Sequence, residues 1–558
     1  MKKTLKGLAL VLAAISATAM VGCNGGSGDG HEGTGENGNL VIRPFGGGYG
    51  TTWLTAIAKQ FEKDMNVNVD IKPAAVDTGS WESEIEAGTC TVDLFFDNGS
   101  GLQFTSKDGL NVKGTKYDTF LADLTDMYNT KVPGEDVLYK EKMWDSIEQS
   151  YNFDYVYDNE KGTYTNQSET GKYYTTSWGG GSLGFVVNMD KWDASWGAIP
   201  KTSDELMALC EKILASNADK NVMNKEYPFV YSLETSYWKF VFETWAFQYL
   251  GEKGYNDYLN GYDANGDRFT KELLRYPGFL ESLELIENCI KPRGGDGKSG
   301  YSHPNSTTIN FTESQFKLLN VGGGIMQPNG NWLISEMAAN YSNAKTMKVE
   351  FIKTPVVSSI IEVLPNKSVA DDAELSALIS AIDAKSTSLS GTGYEVTQND
   401  YNYVAWARGY VTSSCNASGA YIPAYAKNLE NAKKFLLYLA KDSSLDIYYK
   451  ETMGSTMPFT HDYSNSGYDA SHFIKSEQNI LTNSMIMPQV IGCSKYAFFT
   501  RTGFNPLSMP YAHQNITETY FSAINASDRK TASEVFDINY QYAVDNWNVS
   551  YAPYSWGD

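Results

Sequence analysis

Apolar and polar positions set the reading of the first structured stretch. "LVIRPF", from Leu40, reads as a strand and "GGGYG", from Gly46, as a loop. Leu54, Ile57, Ala58, Phe61 and Met65 then recur at helical spacing, with Thr51 or Thr52 as candidate cap. In "VNVDIKP" the apolar positions Val67, Val69 and Ile71 alternate, as in a half-buried strand, and "TVDLFFDNGSG" is a further strand ending in a polar turn. Strand, helix, strand, helix, strand predicts an α/β fold with a parallel sheet. Ligands of such sheets bind where strand ends meet loops, so the loop Gly46–Gly50 with Trp53, and the turn Asp97-Asn98, are expected to touch one.

Farther along, "GKYYTTSWGGGSLGFVVNMDKW" places Gly179-Gly180-Gly181 before an apolar strand, as a crossing between lobes would. Helices such as "KTSDELMALCEKIL" and the aromatic "YWKFVFETWAFQYL" occupy the region from about 200 to 350. The stretch from 356 to about 400 is polar and poor in aromatics, which suggests an insertion. "ENAKKFLLYLAK" is an amphipathic helix through Ala432, Phe435, Leu436 and Leu439. No repeat of 20–50 residues is visible, which disfavours a solenoid.

The N-terminus changes the picture. Residues 1–22 have a cationic start (Lys2, Lys3, Lys6), an apolar run and small residues, the layout of a secretory signal. Met20-Val21-Gly22-Cys23 resembles the lipobox of bacterial lipoproteins, which implies cleavage before Cys23 and lipid on its thiol. Cys23 is followed by sixteen residues without an apolar side chain, seven of them glycine. Such a coil spans roughly 20–24 Å on average and serves as a tether for the globular part of the chain. The expectation is a body held on the outer side of a cell membrane by residues 23–39, outside the cytoplasm.

Cleavage leaves 558 − 22 = 536 residues, enough for two or three lobes. The net charge of −21 becomes −24 without the three signal lysines, which argues against nucleic acid as partner. Cys90, Cys210, Cys289, Cys415 and Cys493 are scattered and form no C-x-x-C, so neither a disulfide scaffold nor a zinc site is expected. The 38 tyrosines and 12 tryptophans combine flat apolar faces with polar edges, which match sugar rings. Core packing accounts for part of them.

Several stretches resemble, in order, the extracellular solute-binding proteins of ABC sugar importers, the group that contains maltose-binding protein. They are "IAKQFEKDMNVNVDIKP", "GKYYTTSWGGGSLGFVVNMDKW" with "PKTSDEL", "GGGIMQPNGNWLISEM", the run from Ser418 to Phe459, and "AINASDRKTASEVFDINYQYA". The resemblance implies a two-lobed, type II periplasmic-binding-protein-like fold, hinged, with the ligand in the cleft. It implies an N-terminal lobe of 40–182 and 356–460 and a C-terminal lobe of 183–355 and 461–558. It also implies a monomer that captures a carbohydrate, an oligosaccharide by the number of aromatic platforms, and delivers it to permease subunits, with no cofactor and no catalysis.

On this resemblance Trp332 falls on the sugar-stacking tryptophan, with Asn329 and Asn331 beside it for hydroxyls. Tyr237 falls on a pocket tyrosine, with Glu234 and Trp238 near, and Asp97 and Asn98 on polar residues after the third strand. A carboxylate there would accept from sugar hydroxyls. Trp178, Tyr49 and Trp53 are further candidate stackers, and Tyr511 lies near a late aromatic of the family. The alternatives are a lipid-anchored glycoside hydrolase, for which no carboxylate pair stands out, and a receptor for a non-sugar solute. The turn Asp263–Asp267 resembles the start of a calcium loop but lacks its glycine and glutamate, and reads as a polar turn.

Overall fold

The computed structural model describes residues 38–75, 79–101, 110–158, 163–168, 172–221, 224–234, 237–259, 262–267, 270–293, 300–338, 341–386, 395–489, 517–523 and 525–546. The signal peptide, Cys23 and most of the tether, Cys493 and Tyr511 lie outside the described residues.

Apart from two small hairpins, Leu110–Val112 with Thr115–Tyr117 and Phe153–Asp158 with Thr163–Ser168, the first strands are β1 (Asn39–Pro44), β2 (Asn68–Ile71), β3 (Leu94–Phe96) and β4 (Thr175–Ser177). β5 (Leu183–Asn188), β6 (Tyr227–Phe229), β7 (Gly324–Gly330) and β8 (Val349–Ile352) follow. β9 (Tyr410–Ser413), β10 (Gly419–Tyr421) and β11 (Met485–Pro488) come last. They form a five-stranded sheet in the order β2-β1-β3-β10-β4 and a four-stranded sheet in the order β6-β7-β5-β8, with β9 and β11 paired separately. In the first sheet β1 runs parallel to β2 and β3, while β10 is antiparallel to β3 and β4. A strand from late in the chain therefore completes the first sheet.

Helix α1 (Thr52–Met65) buries Trp53, Leu54, Ile57, Ala58 and Phe61 on the first sheet and ends at Asn66, whose left-handed backbone donates to the Glu62 carbonyl. Helix α2 (Trp238–Leu259) is kinked at Gly251, whose φ is 66°, and its first part buries every residue from Phe240 to Tyr249. Phe242, Trp245 and Phe247 lie in one core with Phe185, Phe229 and Ile325 of the second sheet.

That second core also takes the segment expected as an insertion in the N-terminal lobe. Helices α3 (Asp372–Asp383) and α4 (Gln398–Gly409) put Leu375, Leu378, Ile379, Val404 and Ala407 into it, together with Val356 and Ile360. The polar surface of this segment hid a narrow apolar stripe. Thr202 and Ser358 both donate to the Asp372 carboxylate, at 2.9 and 2.7 Å, which ties it to the second lobe. The chain returns to the first core afterwards, where α5 (Leu429–Leu439) buries Ala432, Phe435, Leu436 and Leu439. Helix α6 (His472–Thr482) then packs Phe473 and Ile474 against Val349 and Phe351 of β8.

Two connections between the sheets pass side by side. Ser182 bridges Ser413 in antiparallel sense, and the Ser414 N–H donates to the Gly181 carbonyl at 3.0 Å. Gly180 has φ of +112°, and a Cβ on it would lie 2.6 Å from the Cys415 Cα. Only glycine supplies both the backbone angle and the clearance.

Asp263 closes the turn considered for calcium: its Oδ1 accepts from the Asn265 and Asp267 N–H groups at 2.8 and 3.0 Å. Cys90, Cys210, Cys289 and Cys415 are free thiols. Among the described residues no helix is long and apolar enough to cross a membrane.

Gly180→Ala forces two backbones apart and is expected to lower unfolding free energy by about 2 kcal/mol or more. Urea denaturation of the two proteins measures this; equal midpoints would show that the crossing tolerates a side chain.

Candidate functional site

The loop after β1 and the turn after β3 leave the first sheet at neighbouring strand ends, because β1 and β3 are adjacent and parallel. β7 ends at Gly330 and delivers Asn331 and Trp332 to the same place from the second sheet. The Tyr49 hydroxyl donates to the Asn331 Oδ1 across 282 residues of chain. Asn331 Nδ2 donates to the Gly180 carbonyl at 3.2 Å. The two lobes and a connection thus meet at one buried carboxamide.

Trp332 is half-buried and stands edge-on to Tyr237 and Phe240, with ring centroids 5.9 and 5.8 Å away. Tyr237 and Phe240 are themselves stacked at 5.2 Å. A Cβ on Gly330 would lie 2.4 Å from the Trp332 ring, so glycine two residues earlier is what lets the indole fold back over its own strand. The result is an aromatic corner on the second lobe facing the loop at Gly48, where an added Cβ would be 3.7 Å from the Trp332 Cβ.

The first-lobe rings have another place. Trp53 and Trp178 are 1 % and 2 % exposed and stack on each other at 5.6 Å and 10°. Phe96 meets Trp53 edge-on at 5.4 Å, and Tyr49 meets Trp178 edge-on at 6.1 Å. The indole N–H groups are held by backbone, Trp53 on the Gly50 carbonyl and Trp178 on the Asp97 carbonyl, at 3.0 and 2.8 Å. Their faces are used by each other, so in this arrangement they are the floor beneath the loops and not open platforms.

Asp97 is 5 % exposed, and its carboxylate accepts from the Tyr421 hydroxyl and from the Asn98 N–H, both at 2.7 Å. It anchors the turn, while the Asn98 side chain is exposed. Asn329 is fully buried and turned inward, donating to Gln327 and accepting from the Gly330 N–H. Glu234 is exposed and accepts from the Phe311 N–H at 3.4 Å, and Trp238 is core. The structure brings Tyr49 to Asn331 and Tyr237 to Trp332, while Tyr49, Asp97 and Asn329 are buried with their polar groups bonded inside the protein.

It also missed two carboxyls. Glu477 sits on the buried face of α6, four residues after Phe473 and three before Ile480. That spacing was the available signal. Its Oε1 accepts from the Ser182 N–H at 2.8 Å. Burial pushes this carboxyl up to about 7, and the hydrogen bond from the Ser182 N–H opposes the rise. Glu336, bonded by Gln315 at 2.6 Å, is raised to about 7 by burial as well.

A cavity of about 660 Å³ opens elsewhere, walled by Trp144, Tyr449, Phe459, Tyr463, Tyr468 and Gln478. None of the expected ligand residues lines it, and it belongs to the stretch that carries the chain from the first core into α6.

Between about pH 4.5 and 7 the folded protein keeps a proton on Glu477 that an unfolded chain releases, so this group makes stability fall as pH rises through that window. The difference in unfolding free energy between Glu477→Gln and the parent is expected to shift by about 3 kcal/mol in favour of the variant from pH 4.5 to 8. Urea denaturation at both pH values checks it; a constant difference would mean that Glu477 titrates normally.

No family model matches the chain, and no curated protein matches it in sequence. Solved structures do match in shape. The ABC substrate-binding protein Lmo0181 from Listeria monocytogenes, in complex with cycloalternan, is 13% identical, with a TM-score of 0.53 over 92% of this chain and 99% of that one. Maltose-bound MalE3 from T. maritima is 14% identical, with a TM-score of 0.52 over 90% of this chain and 98% of that one. A structure from work on xylan utilization by Caldanaerobius polysaccharolyticus is 15% identical, with a TM-score of 0.54 over 90% and 99%. With its late strand β10 inserted antiparallel into a parallel sheet and its paired connections between two sheets, this chain has the two-lobed α/β fold of the ABC solute-binding proteins.

Proposed function

We propose that the protein is the lipid-anchored receptor of an ABC importer, which closes its two lobes on a carbohydrate and hands it to permease subunits. The observation that carries this reading is the corner of Trp332, Tyr237 and Phe240 beside the contact between lobes. Trp332 and Tyr237 are both only half-buried, and an exposed part of such a ring suits a pyranose, whose apolar side stacks while its hydroxyls reach outward. The exposed Asn98 and Glu234 are the polar groups within the expected set that can meet those hydroxyls. The solved structures of the same fold that were described with cycloalternan and with maltose support a sugar over other solutes.

Closure has a simple thermodynamic basis. A ligand favours the closed arrangement only by the contacts it makes there and not in the open one. Trp332 and its neighbours lie on one lobe and the Gly46–Gly50 loop on the other, so a sugar between them gains contacts from both only when the lobes approach. The Cys23 lipid and the glycine-rich coil would keep the receptor beside its permease outside the cytoplasm and let it turn to dock.

A panel of oligosaccharides tested by thermal shift on protein from Leu40 onward identifies the ligand. A sugar at a hundred times its dissociation constant adds about 2.7 kcal/mol to stability. Reducing-end assays on the same mixtures are expected to stay at background, and turnover would replace the receptor with a hydrolase. Trp332→Ala is expected to weaken the identified sugar about tenfold or more, with the fold retained by circular dichroism. Unaltered affinity in calorimetry would remove Trp332 from the site.

A further inference from the structure

The cavity beside α6 has no part in the sugar contacts proposed above. Its volume of about 660 Å³ lies within the roughly 300–1,000 Å³ of small-molecule sites. Its walls come from both lobes. Trp144 and Phe459 pack with the first core, Tyr468 and Ile486 with the core shared by β8 and α6, and Tyr463 with both. On the helix Asp442–Glu451, Tyr448 turns to the first-lobe floor and meets Trp53 at 5.1 Å and Tyr49 at 6.4 Å. Tyr449, next in the chain and about 100° farther round, walls the cavity. The cavity thus lies on another side of this helix from the Tyr49 loop.

Its wall combines rings with neutral polar groups. Tyr449 stacks on Tyr463 at 4.5 Å and meets Tyr468 edge-on at 5.7 Å. Trp144, Tyr463 and Tyr468 are half-buried, so part of each ring is open. Gln478 Nε2 donates to the Tyr449 hydroxyl at 3.0 Å. Among the described residues nothing accepts the Tyr449 hydroxyl hydrogen, and nothing donates to the Gln478 carboxamide oxygen. One donor and one acceptor therefore stand side by side, and turning the amide over leaves one of each as well. A sugar hydroxyl, which both donates and accepts, answers such a pair.

Charged groups at the wall are already engaged. Asp469 accepts from Lys475 at 2.7 Å and Asp462 from the Ser464 N–H at 2.9 Å. Both ring nitrogens of His461 are bonded, to Asp442 at 3.0 Å and Asp446 at 2.9 Å. This compensation favours a neutral ligand over an ion. We propose that the cavity is a second saccharide site, separate from the one at Trp332, in which Trp144, Tyr463 and Tyr468 supply apolar ring surface and Tyr449 with Gln478 binds a hydroxyl. A pyranose joins an apolar face to a border of hydroxyls, and both halves of that chemistry are present on this wall.

Trp332→Ala protein from Leu40 onward lacks the first proposed site and so tests the second by itself. Saturation-transfer NMR is recorded with glucose, galactose, xylose and their disaccharides at millimolar concentration, and with spermidine and citrate as a cation and an anion. The expected result is saturable binding of at least one saccharide. Adding Gln478→Ala or Tyr449→Phe, which keeps the ring but removes the hydroxyl, is expected to weaken it about fivefold or more, with the fold retained by circular dichroism. Affinity lost with Trp332 reports on the first site, and affinity lost with Gln478 on this one. Absence of saccharide binding in the Trp332→Ala protein, saccharide binding that either added substitution leaves unchanged, or binding of spermidine or citrate alone would each overturn the assignment.

Discussion

Two backbones pass in contact where Gly180 lies against Cys415, and the relation between the sheets depends on that passage. Because no side chain intervenes, the Ser182–Ser413 bridge and the Ser414–Gly181 hydrogen bond can form, and the connections behave as one short ribbon. A ribbon of this kind bends more readily than the cores on either side, which are filled by large rings and close-packed. Relative motion of the lobes is therefore concentrated where the chain crosses between them.

Around this ribbon the aromatic residues divide into two sets. Trp53, Trp178, Phe96 and Tyr448 pack on one another beneath the first-lobe loops. Trp332 and Tyr237 stay half-exposed on the second lobe. Asn331 stands between the sets, accepting from the Tyr49 hydroxyl and donating to the Gly180 carbonyl.

The order of strands and helices in the first lobe was readable because its signals are local: alternation at Val67 to Ile71, helical spacing from Leu54 to Met65, a polar turn after Phe96. The Gly-x-Trp spacing at Gly330 and Trp332 also reads locally, since the indole covers the backbone two residues before it. The segment from Val356 to Gly409 was misassigned for the converse reason. Its apolar stripe through Leu375, Leu378 and Ile379 is clear, but which core receives that stripe depends on residues far away in the chain, such as Thr202.

By itself, then, the sequence determined the α/β alternation, the acidic and aromatic character and the glycine crossing. Tertiary structure alone decided that Trp53 and Trp178 spend their faces on each other, that Asp97 is held by Tyr421, and that Glu477 is buried against Ser182. The difference is physical: periodicity reports which side of an element is buried, whereas the partner that buries it, and the charge state that partner imposes, arise only when distant segments share one volume.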